Sequence, residues 1–253
     1  MRETGELRVI PVRFAGDIKA GDSVVEKLST SLNAQQLRLE EGDIVVVTHK
    51  IISKAEGAIV SLARISPSRK AERWAKRYSL DSRVVQLALS QGRRIVRMRH
   101  GVLITETQHG LVCANSGVDV SNVDGGISAV LLPRDPDGSA ESLYRGIKNK
   151  LRISVPVIIA DTFGRAWREG LTEVAIGVAG MKVFRDYRGK RDAHGYPLKV
   201  TLEAIADELA CAAGLVCGKL SGTPAAVIRG FKFRPGRGRA RQLIRPAKRD
   251  LFR

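Results

Sequence analysis

Apolar runs that stop abruptly at polar residues organise this chain. Val155-Pro156-Val157-Ile158-Ile159-Ala160 contains no polar residue and ends at Asp161-Thr162. A strand without alternation is covered on both faces. It therefore predicts a buried strand with an acid and a hydroxyl emerging at its end, where sheets of α/β type commonly place ligands. Residues 41–48 repeat the pattern, from a glycine turn through Ile44-Val45-Val46-Val47 into His49, Lys50, Ser53 and Lys54. Residues 7–12 alternate, as an edge strand does. Residues 94–97, 102–105 and 110–114 read as short strands, the last leading into a loop of small and oxygen-bearing side chains.

Helices are predicted over residues 23–32, behind glycine turns, and from Ser66-Pro67, read as N-cap and first helical residue, to about Tyr78. Another follows an Asp81 cap with Val84, Val85, Ala88 and Leu89 inward. A fourth covers residues 141–150 behind a rigid loop fixed by Pro133 and Pro136. The clearest starts at a Thr201 cap, because Leu202, Ile205, Ala206, Leu209, Ala212 and Ala213 recur at helical spacing.

Composition narrows the class. With 43% hydrophobic residues the 253-residue chain can bury a sizeable core. No apolar run approaches the ~20 residues that span a bilayer, and the start lacks a signal-peptide core. A cytoplasmic protein without membrane association is expected. Three cysteines, none in a C-x-x-C, signal neither a disulfide framework nor a zinc knuckle. The net charge of +17 is uneven, for residues 232–253 hold nine basic residues and one acid. This basic tail is read as a solubilising end, separate from a region spanning residues 1–231 and expendable for its activity. Its alternative is a nucleic-acid contact, which calls for interleaved aromatics; only Phe231, Phe233 and Phe252 accompany it.

Candidate chemistry gathers after the apolar runs. Asp161, Thr162, Asp119 and Asn122 offer hard oxygen to a cation or nucleotide, and Lys50 and Lys54 are point charges for phosphate. Arg165, Arg168 and Arg188 are candidates for the anionic groups of a substrate. A Walker loop is rejected at residues 214–221, because three residues rather than four separate its glycines and Leu220 replaces the hydroxyl. Gly218 and Lys219 still belong to a loop able to touch phosphate. Each of these also has an ordinary reading, as turn formers or solvated charges.

Six stretches together resemble the coenzyme F420-0:L-glutamate ligase, or F420 γ-glutamyl ligase, family: Ser53-Lys54-Ala55-Glu56-Gly57, residues 115–123, Leu132-Pro133-Arg134-Asp135-Pro136-Asp137, residues 161–168, Asp186-Tyr187-Arg188-Gly189 and Ala206-Asp207-Glu208-Leu209. The likeness runs in order from about residue 7 to 231. It implies a family-specific α+β fold with mixed sheets and flanking helices, a homodimer, and a GTP-dependent amide ligase. This would join L-glutamate to F420-0, then add a γ-linked glutamate, through an acyl phosphate. It further implies Asp119, Asp161 and Thr162 as catalytic ligands to two divalent ions, Mg²⁺ or Mn²⁺, with K⁺ an accessory. Nucleotide contacts carry over to Ala15, Gly16, Asp17, Ile18, His49, Lys50, Lys54 and Asn122. Lys219 stands where archaeal members of the family carry a metal-ligating glutamate. A lysine cannot ligate a cation, so Lys219 is expected to face away from the second ion, toward a phosphate or a substrate carboxylate. Two other functions stay open: a basic nucleic-acid-binding protein, and an amide ligase for another carboxylate-bearing cofactor.

Overall fold

The structure is a computed structural model that describes residues 5–121 and 123–251. In chain order the elements are β1 (Arg8–Val12), α1 (Val24–Ala34), β2 (Ile44–Thr48), α2 (His49–Ala55), β3 (Ile59–Ser61), α3 (Arg69–Tyr78), α4 (Ser82–Gln91), β4 (Gly92–Arg99), β5 (Val102–Thr107), β6 (Val112–Ala114), β7 (Ser128–Val130), α5 (Pro136–Leu151), β8 (Val157–Arg165), β9 (Arg168–Ala179), β10 (Arg185–Asp186), β11 (Leu202–Glu203), α6 (Ile205–Cys217) and β12 (Ala225–Arg229). The class is α+β, as expected.

The principal sheet has the order β1-β12-β2-β8-β9. Only β2 and β8 pair in parallel. Their unbroken apolar runs have a simple cause. Val45, Val47, Val157 and Ile159 face one core with α1, α2 and α5, while Ile44, Val46, Ile158 and Ala160 face a second under α6. Successive side chains of a strand point to opposite faces, so a strand between two cores has no polar position. A smaller unit formed by residues 59–132 carries the β4-β5-β6 sheet, α3 and α4 round its own core, which includes Leu62, Leu87 and Leu103.

Several sequence expectations change. β8 does not end at Asp161: it continues to Arg165 and turns through Ala166-Trp167 into β9, with Thr162 opposite Glu173. Its burial falls from complete at Ala160 to partial at Asp161, so the polar pair lies where the strand leaves the core. The third helix is capped by Ser68, whose side chain accepts from Ala71 N, so Ser66 and Pro67 precede it. α5 starts at Pro136 rather than Glu141, capped by Asp135 accepting from Gly138 N. α6 starts at Ile205, and Thr201 and Leu202 lie before it.

Residues 232–243 pack against the body of the protein and do not form the detached end that was expected. Lys182 N donates to Arg234 O at 2.8 Å and Gly238 N to Met181 O at 3.0 Å. Phe231, Phe233 and Leu243 pack on the second core, and Ala240 is buried in it. Gly238 is required because a Cβ there would strike the Met181 carbonyl oxygen. Asp137, in the first turn of α5, fastens the segment. Its carboxylate accepts from Val178 N at 2.9 Å, Ala240 N at 2.7 Å and Arg241 N at 3.3 Å.

Candidate active site

Because β2 and β8 are parallel, their C-terminal ends meet the same edge of the sheet. A cavity of about 540 Å³ opens there, lined by the turn Gly16-Asp17-Ile18, by Thr48, Lys50 and Lys54, by Ala160 and Glu173, and by residues 218–220 and 222–224 after α6. α2 begins directly after β2, so Lys50 and Lys54, four residues apart, share one helix face. The glycine loop at 218–222 closes the opposite wall, and Gly218 has the positive φ of 59° that favours glycine.

Asp119 and Asp17 each meet a lysine. Lys50 Nζ lies 2.7 Å from Asp119 Oδ2 and 2.7 Å from Ser121 Oγ. Lys54 Nζ donates to Asp17 Oδ1 at 2.7 Å. Burial alone pushes the Asp119 carboxyl up, but hydrogen bonds from Lys50 and Ser121 outweigh it and hold the group below the usual carboxylate range. The Lys54 hydrogen bond holds Asp17 down likewise. Behind the lysines, His49 is 1% exposed. Its Nδ1 lies 3.3 Å from Ser53 Oγ. Its Nε2 lies 3.3 Å from Asp161 Oδ1 without the geometry of a hydrogen bond. The Asp161 charge is felt by buried Cys113, whose thiol burial and that charge push up to about 12.

Glu173 is a residue that sequence reasoning missed. No motif marks it, and only the β8–β9 register sets it opposite Thr162. It accepts from Thr162 Oγ1 at 2.7 Å, and Lys219 Nζ lies 3.5 Å away. Lys219 Nζ also donates to Thr162 Oγ1. Lys219 therefore points at the hydroxyl expected to hold a cation, against the expectation that it would face away, because the loop after α6 folds over the β8–β9 pair.

Not every candidate gathers here. Ala15 is exposed beside the lining rather than in it, and Phe14 takes its place. Arg165 and Arg168 flank the β8–β9 turn, with Arg165 bonded to Glu169 O at 2.7 Å. Arg188 lines a different cleft and is paired with Asp186 at 2.6 Å. Asn122 lies outside the described residues. Asp207, in one of the six motifs, is architectural: it accepts from Ala175 N at 2.9 Å, where the β8–β9 register shifts and leaves a donor of the edge strand over.

Lysines and acids converging on one cleft, over a core of apolar strands, suit an enzyme that handles anionic substrates. Comparison with known proteins makes the class specific. The family model for F420-0:gamma-glutamyl ligase matches residues 14–230, and the chain belongs to that family. It is 44% identical over 252 residues to the coenzyme F420:L-glutamate ligase of Methanopyrus kandleri, covering 98% of each chain. It is 44% identical over 239 residues to the protein of that name from Methanothermobacter thermautotrophicus, covering 93% of this chain and 94% of the relative. The Methanocaldococcus jannaschii ligase is 43% identical over 229 residues. Among the described residues, no helix is long and apolar enough to cross a membrane.

Proposed function

We propose that this chain joins L-glutamate to coenzyme F420-0 by an amide bond and adds a further glutamate through its γ-carboxyl, with GTP providing the driving force. The observation that carries the reading is the match over nearly the whole chain to F420:L-glutamate ligases. The cleft supports it, since Lys50 and Lys54 each pair with a side-chain carboxylate, Lys50 also bonding Ser121. In this reading Lys50 and Lys54 exchange Asp119 and Asp17 for triphosphate oxygens, while residues 218–222 supply backbone N–H groups. The γ-phosphoryl group passes to the terminal carboxylate of F420-0 as its bond to the β-phosphate breaks, releasing GDP. The glutamate amine then attacks the acyl carbon, phosphate leaves, and the amine gives up a proton as the amide forms.

Asp119, Asp161 and Thr162 are hard oxygen donors of the type that suits Mg²⁺ or Mn²⁺. Bound there, such ions would neutralise phosphate charge. The fit is one of donor type and not yet of arrangement. Among the described residues no three His, Cys, Asp or Glu gather closely enough to hold an ion. Lys50, His49 and Lys219 already stand against the three donors. The reading accordingly gives the phosphate-facing charge to the lysines. K⁺ as an accessory ion, a homodimer and a cytoplasmic setting belong to the same proposal. Mass spectrometry of F420-0 incubated with glutamate, GTP and Mg²⁺ or Mn²⁺ tests it: the expected product gains one glutamate residue, then a second, and recovery of unchanged F420-0 overturns it.

A further inference from the structure

A second cleft lies at the other end of the β8–β9 pair. The candidate active site is at Asp161 and Glu173, whereas this cleft of about 370 Å³ begins at Lys182, just beyond Ala179, which pairs with Val157 at the start of β8. One wall is the stretch after β9 and the other is the docked C-terminal segment. Their backbones are laced together by the bond from Lys182 N to Arg234 O and by the Met181–Pro235 bridge.

The lacing places like charges face to face. Lys182, Arg234 and Arg237 all line the cleft, and among the described residues none of them forms an ion pair. Arg188 adds a guanidinium that shares its charge with Asp186, whose carboxyl that pairing pulls down to about 2. Glu203 on β11 is outside the lining and lies 3.8 Å from Arg185. Gln242 spends its amide oxygen on Arg239 N at 2.9 Å, which leaves its NH₂ as a donor. Below this rim the floor is apolar, made by Val183, Phe184 and Leu202. Unpaired cations held together by backbone bonds repel one another unless an anion comes between them. Guanidinium forks match phosphate oxygens, an apolar floor accepts a ring, and the volume falls at the small end of ligand sites. A nucleic-acid strand would call for an open groove with several stacking aromatics, whereas this cleft has Phe184 alone.

We propose that this cleft is a second ligand site, remote from the candidate active site, for a small phosphate-bearing molecule with an aromatic ring. The cleft does not rest on the ligase reading, which enters the test only through the Lys54 control. The test is calorimetric titration of the full chain with ATP and, separately, with inorganic tripolyphosphate. Wild type is expected to show two binding events with ATP. Arg234→Ala combined with Arg237→Ala should weaken one of them about 100-fold, since two charge-assisted contacts are lost. Lys54→Ala should weaken only the other. The docking of the segment uses backbone N–H groups and Asp137, so the arginine variant keeps its fold. Lys182→Ala, on the opposite wall, should reproduce the loss while leaving the backbone bonds to the segment in place. Tripolyphosphate should bind the cleft more weakly than ATP, because it leaves the floor bare. An unchanged ATP isotherm in both variants overturns the proposal. So does binding of a single-stranded oligonucleotide through the same residues when ATP does not bind there.

Discussion

Asp137 is buried and Asp119 partly exposed, and their partners differ in kind. Asp137 is fixed by three backbone N–H groups, from Val178, Ala240 and Arg241, which belong to two packed stretches of chain. Asp119 is held chiefly by Lys50, a side chain on a flexible stem. Asp17 is held by Lys54 in the same way, and Asp161 faces His49. A backbone donor cannot leave without local unfolding, whereas an ammonium can rotate to another anion. The first kind of acid builds the molecule. The second kind keeps a site exchangeable, which is what the phosphate binding proposed at the β2–β8 edge demands.

The comparison breaks most visibly through activity. Asp161→Asn and Asp119→Asn should each lower ligation by about 1,000-fold, some 4 kcal/mol, with thermal unfolding nearly unchanged. Steady-state kinetics beside a melting curve checks both halves, and near-normal turnover would remove these acids from the reaction. Asp137→Ala should do the reverse. Orphaning three backbone donors costs about 3 kcal/mol of stability, a fall in Tm of roughly 10 °C for a chain of this size. Truncation after Phe231 should be worse still, because it strips Ala240 and Leu243 from the second core.

Next in size, Lys50→Met should weaken nucleotide binding about tenfold, the scale of one charge-assisted contact. Equilibrium titration with GTP would show it, and unaltered affinity would mean that Lys50 serves Asp119 alone. The smallest effect is acidic. Asp119 and Asp17 have folded pKa values below their unfolded ones. Their pairs therefore contribute fully above about pH 4 and lose that contribution as pH falls through the lower, folded values. Both pairs are partly exposed, so each is worth no more than about 0.5 kcal/mol. Lys50→Met should flatten the acid limb of a stability–pH profile only slightly. A large change there would mean that the pair is as fixed as the one between Asp137 and its amides.

Much of this was legible in the sequence because its signals are local. Apolar runs without alternation marked β2 and β8 as strands between two layers, and the glycine turns before residue 23 and the Asp81 cap marked α1 and α4. Lys50 and Lys54 stood out as polar residues beside those runs, the six motifs indicated the family, and Asp17 came only with that resemblance. Tertiary structure decided whatever depends on pairing across distance. Glu173 joins the site only through the register that sets it opposite Thr162. Lys219 reaches Thr162 because the loop after α6 folds over that pair, and Arg188 turns into another cleft altogether. The basic end looked detached because charge count is a property of composition. Its docking depends on backbone N–H groups and one buried carboxylate 103 residues from its nearest donor there, and a hydrogen bond of that span leaves no pattern in the residues on either side of it.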